Sequence, residues 1–171
     1  MLAAPTRSWS TWVSRMVRTV GEDESEQKLI DDVAEHGWHC VHIMAEDEHV
    51  AYSFTVGLYE TYGHPELIIV GLSPGVSHQI LSIVADAARV GAPLDLARPT
   101  DALINHYSCC FAEVPLSEYY EHVGFASWYY QGNDFPLYQI VWPSKSGQFP
   151  WHSQASLEFR AAQPMLGQAA S

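Results

Sequence analysis

His64 and Glu66 stand two residues apart in YETYGHPE (59–66), a spacing that suits acid–base chemistry. A carboxylate beside an imidazole raises its basicity and fixes its tautomer, as a general acid–base pair requires. With Thr55 and Gly57 they bracket the exit of one strand pattern and the entry to the apolar run LIIVGL (67–72), and a loop there can aim them at one point. GHP is also a turn signature, in which His64 bonds the turn and Glu66 caps nearby backbone or lies exposed.

The densest group of potential ligands is EHGWHCVHI (35–43), with His36, His39, Cys40 and His42. His36 suits a helix end. In a strand, neighbouring side chains point to opposite faces, so His39 and His42 do not converge on one ion, whereas Cys40 and His42 could each give one ligand to a site completed elsewhere. The recurrent short ligand pairs of structural zinc sites are absent, so the stretch reads as a helix stop followed by a strand, and no metal is assigned. In HYSCC, only one of Cys109 and Cys110 can join His106, and a buried, inert thiol is the expectation.

A third group is aromatic: Trp128, Tyr129, Tyr130, Tyr138, Trp142 and Trp151. Their polar tips need partners or water, so they form either a core between helix and sheet or a surface for a planar ligand. Trp128, Tyr138, Trp142 and Trp151, with Thr55 and Gly57, are the candidate ligand-binding residues. The chain contains no GxxxxGK[ST], GxGxxG, HExxH or CxxC. The usual sequence evidence for P-loop enzymes, Rossmann cofactor binding, zincins and thioredoxins is therefore missing.

Helices and strands must position these groups. Residues 22–35 carry acids at the start and Leu29, Ile30 and Val33 on one face, which predicts a helix stopped at Gly37. Residues 38–44 and 50–58 predict an antiparallel hairpin, 59–66 a loop and 67–72 a buried strand. Ser73 as cap and Pro74 in the first turn open a helix that ends at Gly91. A loop over 92–105, a strand over 107–114, an aromatic helix over 115–132 and a strand over 136–143 follow. The expected fold is one α+β domain, with a mixed sheet of about five strands and two to three helices mainly on one face.

The 171 residues suffice for one domain with a sizeable core, and 47% hydrophobic with 12% aromatic content is that of a folded globule. No apolar run approaches the ~18 residues of a membrane span. With 20 acidic against 8 basic residues the net charge is −12, which argues against nucleic-acid binding and leaves solubility or a basic partner as readings. Residues 1–21 form a basic arm with Arg7, Arg15 and Arg18, and Trp9, Trp12, Val13, Met16, Val17 and Val20 fall at helical spacing. That arm is expected to dock on the body, fray, or meet a membrane surface. The domain is expected over 22–151, and 152–171 as a surface or mobile tail. Three cysteines make no disulfide framework and point to a reducing, cytoplasmic compartment.

Together, HGWH (36–39), AYSFTVGLYETYGHPELIIVGL (51–72) and FPLYQIVWPSKSGQFPW (135–151) resemble a bacterial family known as domain of unknown function 4262. The resemblance covers roughly 22–151 and rests chiefly on YSFTVGLYETYGHPEL. It implies a single α+β domain and carries no catalytic residue over. The sequence-based expectation is a binding module for a small ligand or peptide at an aromatic-lined surface beside the 55–66 loop. The alternatives are an acid–base enzyme using His64 and Glu66, and an acidic antitoxin or immunity-type protein. Neither cofactor nor partner is identified.

Overall fold

A computed structural model describes residues 16–169. α1 (Glu24–His36) starts where the sequence places acids: Asp23 accepts a hydrogen bond from the Glu26 amide, and Gly37 closes it at φ 88°. It buries Leu29 and Val33, each contributing about 1.5–3 kcal/mol of transfer free energy. β1 (His39–Ile43) and β2 (Tyr52–Val56) form the expected antiparallel hairpin, with His42 opposite Ser53 and Cys40 opposite Thr55. β3 (Glu66–Val70) pairs with β2 on its other side. α3 (Pro74–Arg89) begins at Ser73, whose hydroxyl accepts from the Val76 amide. β5 (Tyr107–Glu113) and β6 (Leu137–Val141) complete the centre of the sheet. The aromatic segment is broken into α4 (Tyr119–His122) and α5 (Gly124–Tyr130).

With β4 (Thr100–Ile104) at one edge, the strand order is β1-β2-β3-β6-β5-β4, and only β3 and β6 run parallel. This is the mixed sheet of an α+β domain. Six strands form the path, one more than expected, because 92–105 contains β4 (Thr100–Ile104). The strand escapes a pattern search because its TDALI register is irregular and it pairs with β5 at only two positions, Thr100 with Cys109 and Ile104 with Tyr107.

The expectation of helices mainly on one face is corrected. Tyr52, Phe54 and Val56 of β2 and Ile68 of β3 pack with α1, α4 and α5, whereas Leu67 and Ile69 pack with Ile80, Leu81, Val84 and Ala85 of α3. Alternation along β3 therefore feeds two cores, while β2 turns Tyr52, Phe54 and Val56 to the first and the polar Ser53 and Thr55 to its other face, and all residues of both strands are buried. Two segments read as irregular are helical. Residues 58–62 form α2 (Leu58–Tyr62), too short for a periodic signal, and the tail carries α6 (Leu157–Ala162) and a two-residue β7 that pairs with β5.

The tail is stitched to β6 by two buried amides. Gln139 donates to the Pro164 carbonyl and accepts from the Leu166 amide. Gln163 accepts from the Trp142 amide and donates to its carbonyl, replacing a strand neighbour. Of the N-terminal arm, residues 16–20 are not helical but do dock. The Arg18 amide donates to Tyr129, its Nε donates to Trp128, and its guanidinium lies 5.2 Å from the Trp128 ring centroid. Trp9, Trp12 and Val13 lie outside the described residues.

Candidate functional site

Glu66 opens β3 and is fully buried. Its carboxyl collects four donors: the Thr55 hydroxyl at 2.5 Å, the Gly57 amide at 2.8 Å, the Tyr59 amide at 3.2 Å, and the Tyr130 hydroxyl. Thr55 in turn accepts from the Leu67 amide at 2.9 Å, so one hydroxyl spans the point where β2 and β3 diverge. Burial pushes the Glu66 carboxyl up to about 7, while the hydrogen bonds from Thr55, Tyr130 and the two amides oppose the rise. Burial first, and then Glu66, hold the Tyr130 phenol protonated, as a donor must be.

Gly57 makes this possible. Its φ of 105° disfavours side chains, and a Cβ there would meet the two Val33 methyls at 2.7 and 2.8 Å. The chain thus turns directly from β2 into α2 beneath α1, presenting the Gly57 and Tyr59 amides to Glu66. The TVGL and HPEL segments are two halves of one buried polar joint.

His64 follows α2 and Gly63. It is 5% exposed, and its Nδ1 lies 2.7 Å from the Pro65 carbonyl. A carbonyl only accepts, so Nδ1 carries the proton and Nε2 is left as a lone-pair acceptor. That Nε2 is buried without a partner. Burial lowers the imidazole's pKa, opposed by the Pro65 carbonyl, so the ring is held neutral. His64 and Glu66 consequently do not engage each other: each is committed to different groups.

His64 instead forms part of the wall of a cleft of about 600 Å³. Its other walls are Pro65, Pro93, Leu94, Leu96 and Tyr138, with Asp95 among the lining residues. Tyr138 stands opposite Leu67 in the parallel β3–β6 pairing, which carries it to the α3 side of the sheet beside the 91–97 loop. Of the candidate residues, then, His64 and Tyr138 share one cavity. Thr55 and Gly57 belong to the Glu66 joint behind it. The tryptophans lie elsewhere. Trp142 donates its indole N–H to the Val70 carbonyl at 2.8 Å and packs edge-on against Phe159. Trp128 sits under Arg18 beside Tyr52 and Phe125. Trp151 is 42% exposed and stacks on Phe149.

Leu94 and Leu96 are the site residues that sequence reasoning passed over. The available signal was two leucines in an otherwise polar, proline-containing loop, a place where apolar side chains must find cover. A larger cleft, about 970 Å³, lies between Tyr59, Tyr119, Asp134 and the 165–168 segment. Its Tyr119 hydroxyl is already engaged by the Phe135 carbonyl at 2.8 Å. Among the described residues, two groups gather three potential metal ligands, Cys40 with His42 and His78, and Glu118 with Glu121 and His122. Cys109 is buried, its thiol pushed up to about 12 by burial first and then by Cys110 and Asp101.

A family model described as Domain of unknown function (DUF4262) matches residues 32–156 of the chain. No curated protein and no solved structure matches it.

Proposed function

Since the chain belongs to the DUF4262 family, whose description assigns no activity, we propose from its own site that it is a binding module for a small, largely apolar ligand carrying one hydrogen-bond donor. The observation that supports this reading is the unpartnered Nε2 of buried His64 in the wall of the 600 Å³ cleft. An orphaned buried acceptor costs about 1–3 kcal/mol. Nε2 is closed to solvent, so a ligand O–H or N–H recovers that cost when a turn of the ring brings Nε2 to the cleft, while Leu94, Leu96, Pro65 and Tyr138 supply apolar contact. The size suits a ligand pocket. Glu66 and its donors act one layer behind, holding the 57–66 segment that carries His64. The three unbridged cysteines suit a reducing compartment such as the cytoplasm.

Phenol and benzene, which differ by one hydroxyl, test the reading. Shifts of the His64 and Tyr138 resonances on titration should yield tighter binding for phenol, by about tenfold for one hydrogen bond to a buried acceptor. In His64→Phe that preference should vanish. Equal affinities in the native chain, or a phenol preference that survives the substitution, would sink the proposal.

A further inference from the structure

The hairpin and α3 bring together three side chains that the cleft does not use. Cys40 and His42 are two apart on β1 and therefore share a face. His78, on the second turn of α3, comes down on that same face. One donor atom from each of the three lies within 4.8 Å of the other two. We propose that Cys40, His42 and His78 form a site for a thiophilic divalent transition ion of the Zn²⁺ class.

The surroundings suit this role. Trp38 stacks on His78 with ring centroids 5.7 Å apart at 20°, which fixes the imidazole plane. Ser53 Oγ, on the neighbouring strand, lies 2.7 Å from His42 Nδ1, a hydrogen bond that a metal on Nδ1 would displace and a metal on Nε2 would keep. Cys40 Sγ is 4.0 Å from His42 Nδ1. Tetrahedral zinc, with bonds of roughly 2.0–2.1 Å to nitrogen and 2.3 Å to sulfur, spaces its ligands about 3.3–3.6 Å apart. No pair of donors needs to close by more than about 1.5 Å, which side-chain rotation of two exposed imidazoles supplies. His39 plays no part: it pairs with Asp32 at 2.7 Å from the opposite face of β1.

A thiolate and two imidazoles are the ligands a borderline-soft ion selects over calcium or magnesium. The Glu118, Glu121 and His122 group has no soft donor. Three protein ligands leave a fourth position for water, the open arrangement of catalytic rather than structural zinc. Binding breaks the Cys40 S–H bond, forms the metal–sulfur bond and passes one proton to buffer. The site lies toward the opposite end of α3 from the cleft. Ten residues separate His78 from Ala88, about 15 Å along the helix, so the two proposals stand or fall separately.

Cobalt titration of the chelator-treated full chain tests the site. The expected result is saturable binding of one Co²⁺ per chain at micromolar concentrations. It should show a near-ultraviolet thiolate-to-cobalt charge-transfer band and intense visible bands, all displaced by Zn²⁺. Cys40→Ser should abolish the charge-transfer band. His42→Ala and His78→Gln should each weaken binding by about tenfold or more, with far-ultraviolet circular dichroism unchanged because both rings are exposed. Cys110→Ser should leave the spectrum intact. Absence of saturable binding, a band that survives Cys40→Ser, or a band lost in Cys110→Ser overturns the proposal.

Discussion

At the scale of single residues, Glu66 carries a measurable signature. It is fully buried, and the upward push of burial on its carboxyl links folding to pH. Below the ordinary value of 4.5, Glu66 is protonated in both folded and unfolded chains. As pH rises, the unfolded chain releases the proton first, so stability falls through the window up to about 7 and then levels. At about 1.4 kcal/mol per pH unit the loss is on the order of 3 kcal/mol. Glu66→Gln keeps the acceptor facing Gly57, Tyr59 and Tyr130 and removes the charge. It should flatten this part of the pH dependence when denaturant midpoints are compared from pH 4 to 8. Glu66→Ala, which orphans all four donors, should instead cost about 3 kcal/mol or more at every pH. An unchanged pH slope in the Gln variant would show that another group carries the linkage.

The C-terminal segment matters most at the scale of elements. The backbone edge of Trp142 is completed by the Gln163 amide rather than by a strand, and Gln139 is satisfied only by the 164–166 backbone. Gly71 is also fitted to this segment, since a Cβ on it would lie 2.1 Å from the Ala162 carbonyl. Ending the chain after residue 153 therefore leaves Gln139 and Trp142 with unpaired polar groups and uncovers the Trp142 ring now packed by Phe159. We expect a loss of about 3–5 kcal/mol, read as a lower urea midpoint. Gln163→Leu should lose less than the truncation but more than an exposed substitution. A truncated chain as stable as the full one would contradict this role.

Across the whole molecule, two cores share one sheet. β3 and β6 contribute residues to both, Ile68 and Leu137 to one and Leu67, Ile69 and Ile140 to the other, so neither face can loosen without disturbing strands the other requires. Unfolding should be a single cooperative transition, despite the separation of the α1, α4 and α5 layer from α3. Tryptophans report from both sides, with Trp128 packed on the first core and Trp38 and Trp142 on the second. Urea curves from tryptophan fluorescence and far-ultraviolet circular dichroism should superimpose, and two separated midpoints would refute the coupling. No helix among the described residues is long and apolar enough to cross a membrane.

By itself the sequence determined what depends on neighbours along the chain. The Asp23 and Ser73 caps, the Gly37 stop, the hairpin pattern and the apolar run of β3 each carry a period or punctuation that local physics reads directly. The YSFTVGLYETYGHPEL segment also set Thr55, Gly57, His64 and Glu66 close along the chain, and in the fold Thr55 and Gly57 meet Glu66 while His64 lines the cleft. Their roles were another matter. Whether His64 and Glu66 form a pair depends on which groups arrive from elsewhere: Tyr130 reaches Glu66 from 64 positions away, and the 91–97 loop arrives after α3. The tail's docking, the distribution of helices over both faces and the meeting of His78 with Cys40 and His42 belong to the same class. Each depends on side chains brought together by strand order and helix placement, and a contact between distant residues leaves no periodicity in the sequence to read.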